Sequence, residues 1–231
     1  MLELSTVDAF YGNSRALQDV SFAVDRGDFM CVLGRNGVGK TTLMRAIIGL
    51  MDRCSGSIRL DGSEINNKPV HERSKAGIGY IPQGRGILPK FTVRENLMLG
   101  TFASTKGNGE LDDRIFELFP VLKEFLNRRG GNLSGGQQQQ LAIARALLTD
   151  PKVMLLDEPT EGIQPNIVEQ IEQVLLRLNK EQGMTIVLVE QNVEFARRAS
   201  KRFMIMDRGS VAAQGSVQEL TDDLVQQHMA V

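Results

Sequence analysis

A chain of 231 residues with 42% hydrophobic side chains is long enough to bury the core of one large domain, or of a domain carrying a subdomain. Its formal net charge of −1, from 27 basic and 28 acidic residues, excludes the basic footprint of a nucleic-acid binder. Two cysteines without metal-ligand spacing exclude a disulfide framework, and no apolar run approaches the ~20 residues of a membrane-spanning helix.

The first residues lack the charged and apolar regions of a signal peptide, so the expectation is a protein of a reducing compartment that reaches any membrane through a partner. In chain order, short apolar runs at 2–7, 17–24 and 28–33 read as strands, separated by turns at Gly12-Asn13 and Arg26-Gly27. A helix is expected over 42–50, then a polar turn that holds Cys54, then a strand-and-turn unit over 56–62. A strand over 77–82 leads to Gln83. From 92 to about 148 the periodicity becomes helical, with Thr92 and Glu95 as a capping box and a polar, glycine-rich loop at 101–112. The α/β pattern returns from Lys152. Strands are expected at 153–156, 185–189, 203–206 and 211–214, with helices beginning at Pro165 and at Val193. The pairs Arg128-Arg129 and Arg197-Arg198 read as solvated helix faces.

Between the strand Phe29-Met30-Cys31-Val32-Leu33 and the following helix lies Gly34-Arg35-Asn36-Gly37-Val38-Gly39-Lys40-Thr41, which fits G-x-x-x-x-G-K-[ST] at every fixed position. A triphosphate has to be wrapped by backbone N–H groups, and glycine lets the backbone approach that closely with positive φ. Lys40 supplies a point charge to the β- and γ-phosphates, and the Thr41 hydroxyl is placed to ligate Mg²⁺. The helix that begins near Thr42 turns its positive end toward the phosphates. Downstream, Val153-Met154-Leu155-Leu156-Asp157-Glu158 is an apolar strand ending in two carboxylates, Asp157 for the metal and Glu158 to activate an attacking water. Leu133-Ser134-Gly135-Gly136-Gln137 precedes a helix over 138–148 and offers a second anion site.

With these motifs in this order, nearly the whole chain resembles the ATP-binding cassette superfamily, whose signature is Leu-Ser-Gly-Gly-Gln. The resemblance implies an α/β fold: a P-loop NTPase core of ABC type with an N-terminal antiparallel β-subdomain and an inserted α-helical subdomain. One nucleotide-binding domain would span 1–231, with 1–91 and 152–231 as the core and 92–151 as the helical subdomain. It implies ATP held by Gly34, Asn36, Gly37, Gly39, Lys40, Thr41 and Thr42, with Tyr11 stacked on adenine. Mg²⁺ would be held by Thr41, Gln83 and Asp157. Family members sandwich each ATP between two cassettes, so Ser134, Gly135, Gly136 and Gln137 would contact a partner's γ-phosphate, and 161–165 would pack across the dimer. Glu158 is the expected base, with Lys40 and Gln83 beside it. Gln191 stands where the family usually has a histidine. An amide holds a phosphate by hydrogen bond but carries neither charge nor a proton, so weaker transition-state stabilisation is expected there.

The stretches 81–85, 88–97, 161–163 and 190–192 look like the ATPases of branched-chain amino acid importers; 33–40, 128–140 and 162–165 look closest to the urea-transport branch. The expectation is therefore the ATP-hydrolysing subunit of a bacterial importer of urea or short amides, with branched-chain amino acids as the alternative cargo and a non-hydrolysing assembly subunit as a remote alternative. The resemblance implies a second ATPase subunit or a homodimer, two integral membrane permeases docked near 83–91, an indirect link to a substrate-binding protein, no nucleic acid, and a place at the cytoplasmic face of the inner membrane. The short segment after 216 leaves a minimal cassette.

Overall fold

The apolar runs sort into two sheets and a helical cluster. The computed structural model describes residues 1–104 and 110–229. In chain order the elements are β1 (Leu2–Tyr11), β2 (Ser14–Val24), β3 (Phe29–Leu33), α1 (Lys40–Ile48), β4 (Arg53–Leu60), β5 (Ser63–Glu64), α2 (Val70–Ala76), β6 (Ile78–Ile81), α3 (Val93–Ala103) and α4 (Arg114–Leu118). They continue with α5 (Pro120–Glu124), α6 (Gly135–Leu147), β7 (Val153–Asp157), α7 (Pro165–Gln182), β8 (Thr185–Val189), α8 (Val193–Ala199), β9 (Arg202–Asp207), β10 (Ser210–Ser216) and α9 (Asp222–Met229). The expected loop at 101–112 lies partly on 105–109, outside the described residues.

The first sheet is antiparallel, with strand order β2-β1-β4-β5. The second has order β10-β9-β3-β8-β7-β6; its strands run parallel except β10, which closes one edge antiparallel to β9. Parallel strands covered on both faces need apolar side chains on both faces, which is why β3, β7 and β8 are continuous apolar runs. Side chains alternate between two cores. Phe29, Cys31 and Leu33 enter one with Met154, Leu156, Ile186 and Leu188, while Met30 and Val32 enter the other with Val153, Leu155, Val187 and Val189. The first core holds α6, α7, α8 and the helices α3 to α5. The second holds α1 and the antiparallel sheet.

The helical cluster follows β6 and ends before β7. Thr92 caps α3 with Glu95 in the expected capping box. Buried Asn96 then ties this helix to the segment before it: its amide accepts from Leu88 N at 2.9 Å and donates to the carbonyls of Leu88 and Thr92 at 3.0 Å each. Arg145 on α6 donates to Gly86 O at 2.6 Å, so residues 86–92 are pinned to both helices.

Three local expectations change. Cys54 lies inside β4, half-buried, rather than in a turn, because this strand pairs with β1 from Arg53 onward. Arg128 and Arg129 follow α5 instead of lying on a helix, and Arg128 stacks on Phe125. Arg197 and Arg198 are on α8, but both are paired, with Asp222 and Glu172. The helices α2 and α9 have too little periodic apolar sequence to stand out. The former is anchored by buried Arg73, whose guanidinium donates to Ala46 O and Ile47 O at the end of α1.

Candidate active site

Four strand ends of the parallel sheet deliver the polar residues to one place. The loop after β3 wraps into α1, with Gly39 as its N-cap at φ 109°. Gly34 is at φ 149°, and a Cβ there would meet Met206 O at 2.7 Å, so both glycines are sterically required. Lys40 is buried and donates to Gly34 O at 2.8 Å and Arg35 O at 3.0 Å. Its third partner is Glu158 Oε1 at 3.3 Å.

The end of β7 brings Asp157 beside Thr41, whose Oγ1 donates to Asp157 Oδ1 at 3.2 Å. Burial lifts the Asp157 carboxyl to about 6, partly offset by that hydroxyl and raised further by Glu158. Its Oδ2 is buried without a hydrogen-bond partner among the described residues. Such an atom requires a water or a cation. The Asp157 carboxylate and the Thr41 hydroxyl are oxygen donors of the kind hard divalent cations prefer, and Gln83 lines the same pocket as Thr41.

Glu158 adopts φ 48°, a left-handed conformation that non-glycine residues rarely hold, and its N–H is tied to Val189 O at 3.0 Å. Its carboxylate is thereby aimed at two amides. Gln83, two residues beyond β6, donates to Glu158 Oε2 at 3.3 Å and to Glu161 Oε2 at 2.9 Å. Gln191, two residues beyond β8, donates to Glu158 Oε1 at 3.0 Å and to Asn36 Oδ1 at 2.8 Å. Asn36, Gly37, Gly39, Lys40, Thr41, Thr42, Gln83 and Glu158 line a pocket of about 270 Å³.

Tyr11 stands at the rim, exposed, with its hydroxyl 3.5 Å from Thr42 Oγ1 and accepting from Arg45 Nη1 at 3.2 Å. The segment Ser134 to Gln137 is outside this pocket. Ser134 caps α6 in a reciprocal capping box with Gln137. Gly136 is pressed on α7, where an added Cβ would meet Ile167 Cγ2 at 2.5 Å. Sequence reasoning missed the Asn36–Gln191 contact and the Gln83–Glu161 contact, which join residues far apart in the chain. It also missed Glu190, whose place before Gln191 in the sequence was the available signal.

Residues 17–161 match the family model described as ABC transporter. The chain belongs to this family. As a member of the ABC transporter family it is an ATPase whose hydrolysis is coupled to transport. It is similar to the high-affinity branched-chain amino acid transport ATP-binding protein BraG of Pseudomonas aeruginosa, with 40% identity over 212 residues covering 91% of each chain. It is also similar to the probable branched-chain amino acid transport ATP-binding protein LivF of Archaeoglobus fulgidus, with 38% identity over 96% of this chain and 94% of that protein. Among solved structures, it resembles the dimeric post-hydrolysis state of the cassette MJ0796 bound to ADP and Pi, with a TM-score of 0.83 and 29% identity over 94% of this chain and 99% of that one. It resembles the ADP conformation of the cassette MJ1267 at a TM-score of 0.83 and 28% identity, over 98% and 97% of the two chains. The expected ABC-type fold class is borne out. Among the described residues, no helix is long and apolar enough to cross a membrane.

Proposed function

We propose that this chain is the ATP-hydrolysing subunit of an importer for branched-chain amino acids. The observation that carries the chemistry is the convergence of Lys40, Thr41, Gln83, Asp157, Glu158 and Gln191 around one phosphate-sized pocket. The names of BraG and LivF support the cargo and favour it over urea or short amides.

In this reading Gly34, Asn36, Gly37, Gly39 and Thr42 wrap the triphosphate, and Lys40 exchanges its Glu158 partner for phosphate oxygens. Tyr11 stacks on the adenine, a contact worth about 1–3 kcal/mol. Thr41, Gln83 and Asp157 would hold Mg²⁺, which when bound would neutralise charge on the phosphate oxygens. Glu158, once released by Lys40, orients a water through the pair of amides and accepts its proton. Gln191 donates to the γ-phosphate, replacing a cationic donor with a neutral one.

Ser134, Gly135, Gly136 and Gln137 lie outside the pocket, which supports their use on a second cassette's ATP; the dimeric state named for MJ0796 is in keeping with that. The second cassette is a copy of this chain or a distinct ATPase. Exposed Leu88 and Phe91, together with the apolar groove walled by Leu50, Val70 and Leu99, form the proposed dock for cytoplasmic helices of two permeases. The permeases in turn meet a substrate-binding protein, at the inner face of the cell membrane.

The test is ATP turnover by the ATPase dimer, with and without Glu158→Gln, beside uptake of labelled leucine and labelled urea by cells lacking the chain. Turnover is expected to fall about 10²–10⁴-fold in the variant, as for loss of a general base. Leucine uptake, not urea uptake, is expected to depend on the chain. Parental turnover in the variant would remove Glu158 as the base and favour a non-hydrolysing role; uptake of urea alone would overturn the cargo.

A further inference from the structure

Glu190 is a buried carboxylate beside the site that the proposed chemistry does not use. It directly follows β8 and is 4% exposed, and its N–H donates to Val32 O at 3.1 Å, which fixes its backbone to β3. No cation pairs with it among the described residues. Its carboxylate instead bridges two segments. Oε1 accepts from Thr160 Oγ1 at 2.6 Å, and Oε2 accepts from the backbone N–H of Gln191 at 3.2 Å.

A buried carboxylate without a counter-ion is unfavourable for folding, because desolvation is offset only by its hydrogen bonds. Burial accordingly raises its proton affinity above that of an ordinary glutamate. A neutral side chain of similar shape would serve the core better. What Glu190 supplies that such a side chain cannot is two acceptor oxygens facing two sets of donors at once. Those donors belong to the two loops that carry the reacting groups: Thr160 is two residues after Glu158, and Gln191 is the phosphate-side amide. Thr160 also leads directly into 161–165.

We propose that Glu190 is a positioning residue that clamps the Glu158 loop to the Gln191 loop through Thr160, so that displacement of 161–165 by a second cassette is transmitted to the γ-phosphate side of the pocket. The inference rests on the ATP-hydrolysis reading of the same site. Thr160 is pulled by Oε1 and the Gln191 backbone by Oε2, so the separation of the two loops is set by one rigid planar group. A glutamine at 190 keeps the shape but turns an NH₂ toward one set of donors, and that set loses its acceptor.

The test uses the full chain in its ATPase dimer, with Glu190→Gln, Thr160→Val, the double variant and Glu158→Gln in parallel, reading kcat, KM for ATP and thermal melting. Small misplacements of reacting groups cost up to about 10²-fold, so kcat is expected to fall roughly ten- to hundredfold in each clamp variant, with KM within about twofold and melting unchanged or higher for Glu190→Gln. The double variant is expected to be no slower than the slower single one, because both remove the same link. Parental kcat in Glu190→Gln and Thr160→Val while Glu158→Gln is inactive would overturn the clamp alone. Losses that add in the double variant, or that track a lowered melting temperature, would reduce Glu190 to a packing role and also overturn it. Parental kcat in Glu158→Gln would instead overturn the underlying hydrolysis reading.

Discussion

Lys40 has two backbone carbonyls and one carboxylate as partners, and Glu158 has one ammonium and two amides. Each therefore keeps the other's charge compensated in a buried place where an unpaired ion would be costly. Gln191 completes this set without adding charge. Replacing it by alanine removes a single donor, for which a loss of roughly 10²-fold in kcat is expected from comparable preorganised donors. Gln191→His is expected to retain or exceed parental turnover; steady-state assays check both. Asp157 gives a pH effect of defined sign. Its folded carboxyl titrates near 6, above the ordinary aspartate value of 3.8, so between those values the folded state holds the extra proton. Its contribution to stability is thus fullest below about pH 4 and is lost as pH rises through 6. Urea unfolding without nucleotide or divalent cation is expected to show a pH slope in this window that Asp157→Asn flattens, by about 3 kcal/mol at most.

At the scale of elements, what matters is how the segment behind Gln83 is held. The chain between β6 and α3 has no regular structure, yet buried Asn96 satisfies four of its main-chain groups, Leu88 N, Leu88 O, Phe91 O and Thr92 O, and Arg145 satisfies Gly86 O. Truncating Asn96 to alanine leaves those backbone groups without partners in a buried place, and a loss of about 1–3 kcal/mol is expected in chemical denaturation. ATP binding is expected to persist, because none of the pocket residues touches Asn96. Coupling to the permeases is expected to weaken, since Leu88 and Phe91 ride on this segment; transport per ATP hydrolysed measures that. The clamp at Glu190 operates at the same scale on the other side of the pocket, between the loops after β7 and β8.

At the scale of the whole molecule, most of the architecture was legible in the sequence because its physics is local. Short continuous apolar runs such as 153–156 and 186–189, bounded by polar residues, fit strands covered on both faces, and the glycine spacing of 34–39 fits a phosphate loop. Thr92 with Glu95 marked the start of α3 by a contact within one turn. The elements that escaped, α2 and α9, are short and are fixed by distant partners such as the carbonyls at the end of α1. In the site, motif residues stood out, but Asn36 meeting Gln191 depends on β3 and β8 being neighbours, which no local pattern states. The same holds for Glu190. Its residue type looked unremarkable, and only the pairing of β7 with β8 shows that Thr160 comes within reach.

Lys40 and Gln191 follow β3 and β8 and Asp157 ends β7, strands each hydrogen-bonded to a neighbour on both sides, whereas Gln83 follows β6, which pairs with β7 alone. Three walls of the pocket are thus set in the interior of the lattice and the fourth hangs from its margin. Local opening begins where the ladder has only one rail. Backbone amides over Ile78–Ile81 will exchange with deuterated solvent sooner than those of Thr185–Val189, and Gln83 becomes the member of the site whose position can be retuned without unzipping the sheet.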